Sequence, residues 1–291
     1  VSLKRLLFFL VFCSLLVFPA AEEKSFLWEL SVPYGKCYLL GTVHVLKKDH
    51  YPLPLVIEEA FAASELLLVE VDLSPEKMLP AAMKMLEHGM CRDQETIRDY
   101  LTAEAFARAE TGMKNIGLDI DKFLKFKPWM LAALLLQKKL AQEGFDPEHG
   151  LDLYFLRKAA GNKEILELEG LDFQLGLFAG LSKEENSGLL LSAVLEAEMI
   201  GKIAEKIVQA WASGDKAALE RFFISELVAT PELKPFFRKL VDERNLQMVD
   251  KVIEYISAER EFFLAVGALH LIGEKGMVQL LRDRGYSLRQ L

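Results

Sequence analysis

Three stretches of this chain are apolar without a break: CYLLG (37–41), LLLV in ELLLVEVDL (65–73), and FFLAVG (262–267). Side chains of a strand point alternately to its two faces, so a run with no polar alternate has to be covered on both. A sheet of such strands is stable between layers of helices. The rest of the chain supplies those layers. Apolar residues recur at helical spacing in LVIEEAFAAS, and helices are expected at 75–88, 102–114, 129–141, 183–212, 215–227, 236–257 and 273–284. GLDLYFLRKAAGNK forms a short helix that leads into a strand, EILELEG. Ser182-x-x-Glu185 opens the 183–212 helix as a capping box, and Gly285 ends the last helix before a closing strand, YSLRQL. FLWELSV alternates and reads as a half-exposed edge strand. The expectation is an α/β fold: a mixed central sheet flanked by helices, with the helices of 75–145 and 183–257 inserted as a layer or cap.

No Pro-, Gly- or Ser-rich linker divides the chain, so residues 22–291 read as a single domain. With 52% hydrophobic and 27% charged residues, 291 residues are enough to bury a sizeable core. Residues 1–21 read separately, as a signal peptide: Lys4 and Arg5, an apolar stretch from Leu6 to Phe18, then Pro19-Ala20-Ala21. The stretch is shorter than the roughly 20 residues that span a bilayer. An exported protein, periplasmic or extracellular, is expected, with membrane contact only through an uncleaved leader. Acidic residues outnumber basic ones by 43 to 35, and no basic block is present to neutralise a phosphate backbone, so nucleic acid is excluded as a partner. Cys37 and Cys91 either pair in an oxidising compartment or serve as small buried hydrophobes. The stretch WMLAALLLQKKL is read as core packing rather than a membrane surface.

Two apolar strands end alike. YLLGTVH stops at Gly41 and reaches His44; FLAVGALH stops at Gly267 and reaches His270. At the average glycine frequency of about 7%, five His would produce roughly a third of one Gly-x-x-His by accident, and two occur, both at strand ends. A third strand carries Glu70 and Asp72, and a fourth Glu167 and Glu169. Ligands in open α/β sheets bind where strands end. Two imidazoles with one or two carboxylates suit a first-row divalent ion with open positions, and glycine permits close approach. The plain alternative is that each His is a satisfied polar group at a strand end. Asp72 is read as a cap for the helix beginning near Pro75, and Glu167 as exposed at strand entry.

Taken in order, YLLGTVH, YPLP, LLVEVD, GLDLYFLRKA, LELEGLDFQ, W-x-x-G-D at 211–215, ERN at 243–245 and VGALHLIGEKG resemble the TraB/GumN family, from about residue 26 to 291. The metal-dependent proteases called Tiki belong to that group. The resemblance implies a fold similar to erythromycin esterase and ChaN-like proteins. It implies His44 and His270 as metal ligands with Glu70 as carboxylate partner. Glu70 or Glu169 then handles the proton of a bound water. Arg244 holds a substrate carboxylate or stabilises a tetrahedral intermediate, with help from Asn245. Gln174 orients a water or is a helix-surface amide, and Tyr51 lines a substrate cleft or belongs to a stiff turn. The implied activity is that of an exported metal-dependent hydrolase, a peptidase acting on a peptide or other small polymer, with manganese or cobalt favoured and zinc allowed. The competing reading is a binding protein without turnover, as in pheromone shutdown or polysaccharide operons. Oligomeric state is not legible.

Overall fold

The computed structural model describes residues 24–291. The leader read at 1–21 lies outside the described residues. Six strands form one sheet: β1 Leu27–Val32, β2 Gly35–Thr42, β3 Leu66–Val69, β4 Glu164–Glu167, β5 Phe262–Gly267 and β6 Ser287–Gln290. Their order is β4-β3-β5-β2-β1-β6. The first four of that order run parallel, and β1 is antiparallel to both β2 and β6. The fold is therefore the expected mixed α/β sheet with helical flanks. One detail differs. β1 is an inner strand, because β6 pairs along its open side with Leu30 opposite Leu288, and Phe26, Leu27, Trp28 and Leu30 are buried. The alternation in FLWELSV reflects Glu29, a buried carboxylate paired with Lys36 and Arg289, which resembles an edge strand in sequence.

The helices of seven residues or more are α1 Leu55–Ala63, α2 Pro75–Gly89, α3 Ala103–Asn115, α4 Pro128–Gln142, α5 Leu151–Ala159, α6 Leu171–Ala179, α7 Lys183–Glu196, α8 Ile200–Ala212, α9 Lys216–Ala229, α10 Arg244–Ser257 and α11 Met277–Asp283. Stacked rings fasten the sheet to its cover: Phe263 of β5 lies 5.4 Å from Phe61 of α1 and 4.9 Å from Phe155 of α5. All three are buried, and truncating any one to Ala would cost about 3–5 kcal/mol. A separate apolar cluster, with Phe106, Met113, Leu131, Leu135 and Leu190, joins α3, α4 and α7 into the inserted helical layer. Trp129 and Met130 of α4 are buried, in keeping with core packing. Among the described residues no helix is long and apolar enough to cross a membrane.

Three expected helices have other bounds. The 183–212 pattern is two helices, broken at 197–199. Its capping box forms as read, with Glu185 N–H donating to Ser182 Oγ at 3.1 Å and Ser182 N–H to Glu185 Oε2 at 2.8 Å. The break follows from the two halves serving different cores: Leu190 and Ala193 pack in the helical layer, Val208 and Trp211 against the sheet. The 236–257 pattern divides at a π-helical turn, Arg238–Glu243, ahead of α10. The last helix starts at Met277 rather than 273, because Gly273 (φ +80°) and Gly276 first make a turn so tight that a Cβ on Gly276 would lie 2.2 Å from the Ile272 carbonyl oxygen. Cys37 and Cys91 are both buried and free, the second of the two alternatives.

Candidate functional site

All four parallel strands end at one edge of the sheet. His44 follows β2, Glu70 follows β3, Glu169 follows β4, and a 3₁₀ turn, Ala268–Leu271, carries His270 past β5. Since β5 lies between β3 and β2, groups far apart in the chain stand side by side: Glu169, Glu70, His270, His44. The repeated phrase has its explanation here, in adjacent parallel strands with Thr42 opposite Gly267.

The two glycines do different work. A Cβ on Gly41 would fall 2.4 Å from Phe26 Cδ1, so its absence lets Phe26 pack beneath the site. The carbonyl of Gly41 accepts from the Trp211 indole at 2.7 Å, which places the W-x-x-G-D motif in the scaffold. Gly267 faces the site itself. A Cβ there would meet Glu70 Oε1 at 3.4 Å, His270 Cδ2 at 3.6 Å and His44 Nε2 at 3.7 Å, so these three side chains surround one small space.

Each imidazole is gripped through Nδ1. His44 Nδ1 lies 2.9 Å from Asp152 Oδ2, while Asp152 Oδ1 accepts the Thr42 hydroxyl at 2.7 Å. Helix α5, which carries Asp152, is preceded by Gly150 as its N-cap, where a Cβ would strike the His44 carbonyl oxygen at 2.1 Å. His270 Nδ1 lies 2.6 Å from Asn245 Oδ1, and Asn245 Nδ2 donates to the Lys275 carbonyl at 2.8 Å. That second bond orients the amide, since a carbonyl can only accept. Both Nδ1 atoms therefore carry a proton; Nε2 of the neutral His270 ring is free as an electron-pair donor, and that of His44 becomes one when a bound cation displaces its proton. The two rings differ in setting. The His44 side chain is 75% exposed, and the Asp152 carboxylate raises its pKa to about 9. His270 is buried, and burial lowers its pKa.

The carboxylates are locked by one guanidinium. Arg244 and Asn245, consecutive at the start of α10, are both buried, and helical rotation sends one to the carboxylates and the other to His270. Arg244 Nε donates to Glu169 Oε1 and Oε2 at 2.9 and 3.0 Å, and Nη2 to Glu169 Oε2 at 2.6 Å and to Glu70 Oε2. Its Nη1 donates to the Leu240 carbonyl at 2.9 Å, inside the π turn, a device that recurs at functional sites. Gln174 Nε2, on α6, bridges Glu70 and Glu169 at 3.1 Å to each. Glu70 Oε1 accepts the Gly267 N–H at 2.7 Å. Burial raises the Glu70 pKa, and His270, Arg244, His44 and the Gly267 N–H together overcome it, to about 2. Of the groups that lower it, His270 weighs most, followed by the permanent charge on Arg244.

Among the described residues, no three His, Cys, Asp or Glu side chains are grouped so as to hold a metal ion as they stand. In kind, the donors fit a divalent cation. Two imidazoles have oriented Nε2 atoms, and Glu70 Oε1 lies 3.7 Å from His270 Nε2. Two ligands about 2.1 Å from a shared ion sit at nearly that separation. Two carboxylates set against one guanidinium also leave negative charge that a cation would balance.

Of the residues singled out in the sequence, His44, His270, Glu70, Glu169, Arg244, Asn245 and Gln174 come together. Tyr51 donates its hydroxyl to the His149 carbonyl at 2.8 Å and packs its ring 5.1 Å from Tyr154 of α5, the helix that carries Asp152. Arg244 has its fork engaged with Glu70 and Glu169 rather than turned to an open cleft. Asp72 accepts the Ser74 N–H at 2.9 Å and pairs with Lys77 at 2.7 Å, a helix-entry role. Glu167 is not simply solvated; it accepts the Asp72 N–H at 2.7 Å. Sequence reasoning missed Asp152. Its signal was present in GLDLYFLRKA, an acid two residues past a helix-opening glycine.

Comparison with known proteins agrees over most of the chain. The sequence model of the TraB/PrgY/gumN family matches residues 26–290. An uncharacterized protein of Treponema pallidum is 24% identical over 90% of this chain and 81% of its own length. The uncharacterized protein YbaP of Escherichia coli is 24% identical over 87% of this chain and 91% of its own length. A metalloprotease TIKI homolog of Nematostella vectensis is 23% identical over 93% of this chain and 68% of its own length. No solved structure gives a significant match.

Proposed function

This chain belongs to the TraB/PrgY/gumN family, and from that premise we propose that it is a hydrolase that works with a divalent ion and cuts peptide bonds. One observation carries the reading: His44, His270 and Glu70 surround the space above Gly267, with both imidazoles oriented through Nδ1. The similarity to proteins named TIKI metalloproteases supports the reaction type. When bound, a divalent ion supplies a water of lowered pKa and polarises a carbonyl. His44, His270 and Glu70 would hold it. Asp152 and Asn245 keep the two rings in the tautomer that presents Nε2. Glu70, with its pKa near 2, is suited to be a ligand and not a base. The proton-handling role passes to Glu169, which Arg244 and Gln174 tie to Glu70. Arg244 acts by fixing both carboxylates. Manganese or cobalt ahead of zinc, and an exported setting, periplasmic or extracellular, belong to the same proposal.

The test is hydrolysis of a defined peptide mixture followed by mass spectrometry. Cleavage should stop with chelator, return with manganese or cobalt, and be absent in His270→Ala. Glu169→Gln should keep the ion and lose turnover. Peptide bound but never cut, with any ion, would overturn the hydrolase in favour of a capture protein.

A further inference from the structure

Behind the π turn that introduces Arg244 lies a cleft of about 640 Å³, within the range of small-ligand sites. Two aromatic rings line it: Phe223 and Phe237 meet edge to face with ring centroids 5.7 Å apart. Its rim holds four cations and two carboxylates, against the trend of a chain with net charge −8. The carboxylates are spoken for. Asp242 pairs with Lys275 at 2.9 Å, and Glu243 with Arg238 at 3.6 Å. Lys234 and Lys239, both exposed, have no ion pair among the described residues. Two ammonium groups with no ion pair among the described residues, beside two aromatic rings, suit an anion carried on an apolar body. Lysines offer compact point charges, each able to take one oxygen of a carboxylate, and the one arginine of the lining already pairs with Glu243. The cleft also shares a wall with the site. Lys275, held by Asp242, gives its carbonyl to Asn245, and Asn245 holds His270.

We propose that this cleft binds a carboxylate attached to a large apolar side chain, with Lys234 and Lys239 taking the charge and Phe223 and Phe237 the apolar part. Two sources have that chemistry: the carboxyl end of a peptide and a free carboxylic acid. The peptide source rests on the peptidase reading; the binding does not. The test is titration calorimetry on the full chain with acetyl-Ala-Ala-Phe as free acid, the same peptide as its carboxyl amide, and 3-phenylpropionate. The free acid should bind at least tenfold more tightly than the amide. Lys234→Ala/Lys239→Ala, a surface variant whose fold is checked by circular dichroism, should erase the preference, and His44→Ala should keep it. Phenylpropionate weaker than the peptide acid assigns the site to peptide ends; equal affinity assigns it to free acids. Acid and amide bound alike by the wild type, or a preference that survives in the double variant, would overturn the proposal. A preserved preference in a protein that cuts no peptide would sink the peptidase reading alone.

Discussion

Arg244→Met tests whether one guanidinium holds the site together. The Met side chain roughly fills the space and removes the charge. It leaves Glu70 and Glu169, whose side chains are only 15% and 3% exposed, facing each other with Gln174 and the Gly267 N–H as their remaining donors. Removing one partner of a buried ion pair costs about 3–5 kcal/mol. At about 2–4 °C per kcal/mol for a domain of this size, the melting temperature should fall by roughly 6–20 °C at pH 7. The acid limb gives an independent check. The Glu70 pKa is depressed, from 4.5 to about 2. A depressed carboxylate contributes stability above its unfolded pKa and loses it as pH falls through the folded one. Wild type should therefore lose roughly 3 kcal/mol between pH 4.5 and 2, at about 1.4 kcal/mol per pKa unit. The variant lacks the Arg244 share of that contribution from the start, so the gap between the two stability curves should narrow in acid. Thermal melts from pH 2 to 8 by circular dichroism read both effects. A drop under about 3 °C at pH 7, or a gap that stays constant into acid, would refute the reasoning.

Three further variants probe the parts separately. Asp152→Asn should bring the titration of His44, near 9 in the metal-free protein, back towards 6.5, as followed by NMR of the imidazole carbons; a midpoint left near 9 would contradict the ion pair. Gly150→Ala puts a methyl 2.1 Å from a backbone oxygen, so a loss of about 1–3 kcal/mol is expected in denaturant titration, and an unchanged midpoint would contradict the close approach. Gly267→Ala sits at φ −50° and ψ 135°, where any residue is at ease, with ordinary contacts to its neighbours. It should fold within about 1 kcal/mol of wild type while peptide hydrolysis drops at least tenfold, because the methyl enters the space the three side chains share. A stable and fully active Gly267→Ala would place the chemistry elsewhere.

What could be read from sequence followed the physics of each signal. Uninterrupted apolar runs identify buried parallel strands, and Gly-x-x-His at their ends locates both imidazoles, because backbone pattern and side-chain chemistry coincide there. The position of β1 escaped, since pairing of β6 with β1 depends on which strand the chain end reaches, and a buried Glu29 mimics an exposed alternate. The split of 183–212 escaped as well: both halves are amphipathic, and only packing shows that they face different cores. In the site, the groups that chemistry names in advance, His and Glu, were found. Their supports were harder. Asp152 is one of 43 acidic residues, and nothing local marks it as the partner of His44 until the sheet brings α5 against β2. Arg244 was recognised, but its engagement with both carboxylates follows from the order β4-β3-β5, which sequence does not display.

The central claim is that His44 and His270 serve one ion. Metal content by plasma mass spectrometry decides it most directly, on protein purified without chelator as wild type, His44→Ala and His270→Ala, with the fold of each checked by circular dichroism. The account predicts close to one divalent ion per chain in the wild type and its loss in both folded variants. A wild type that takes up no manganese, cobalt or zinc, or variants that retain the ion, would contradict it.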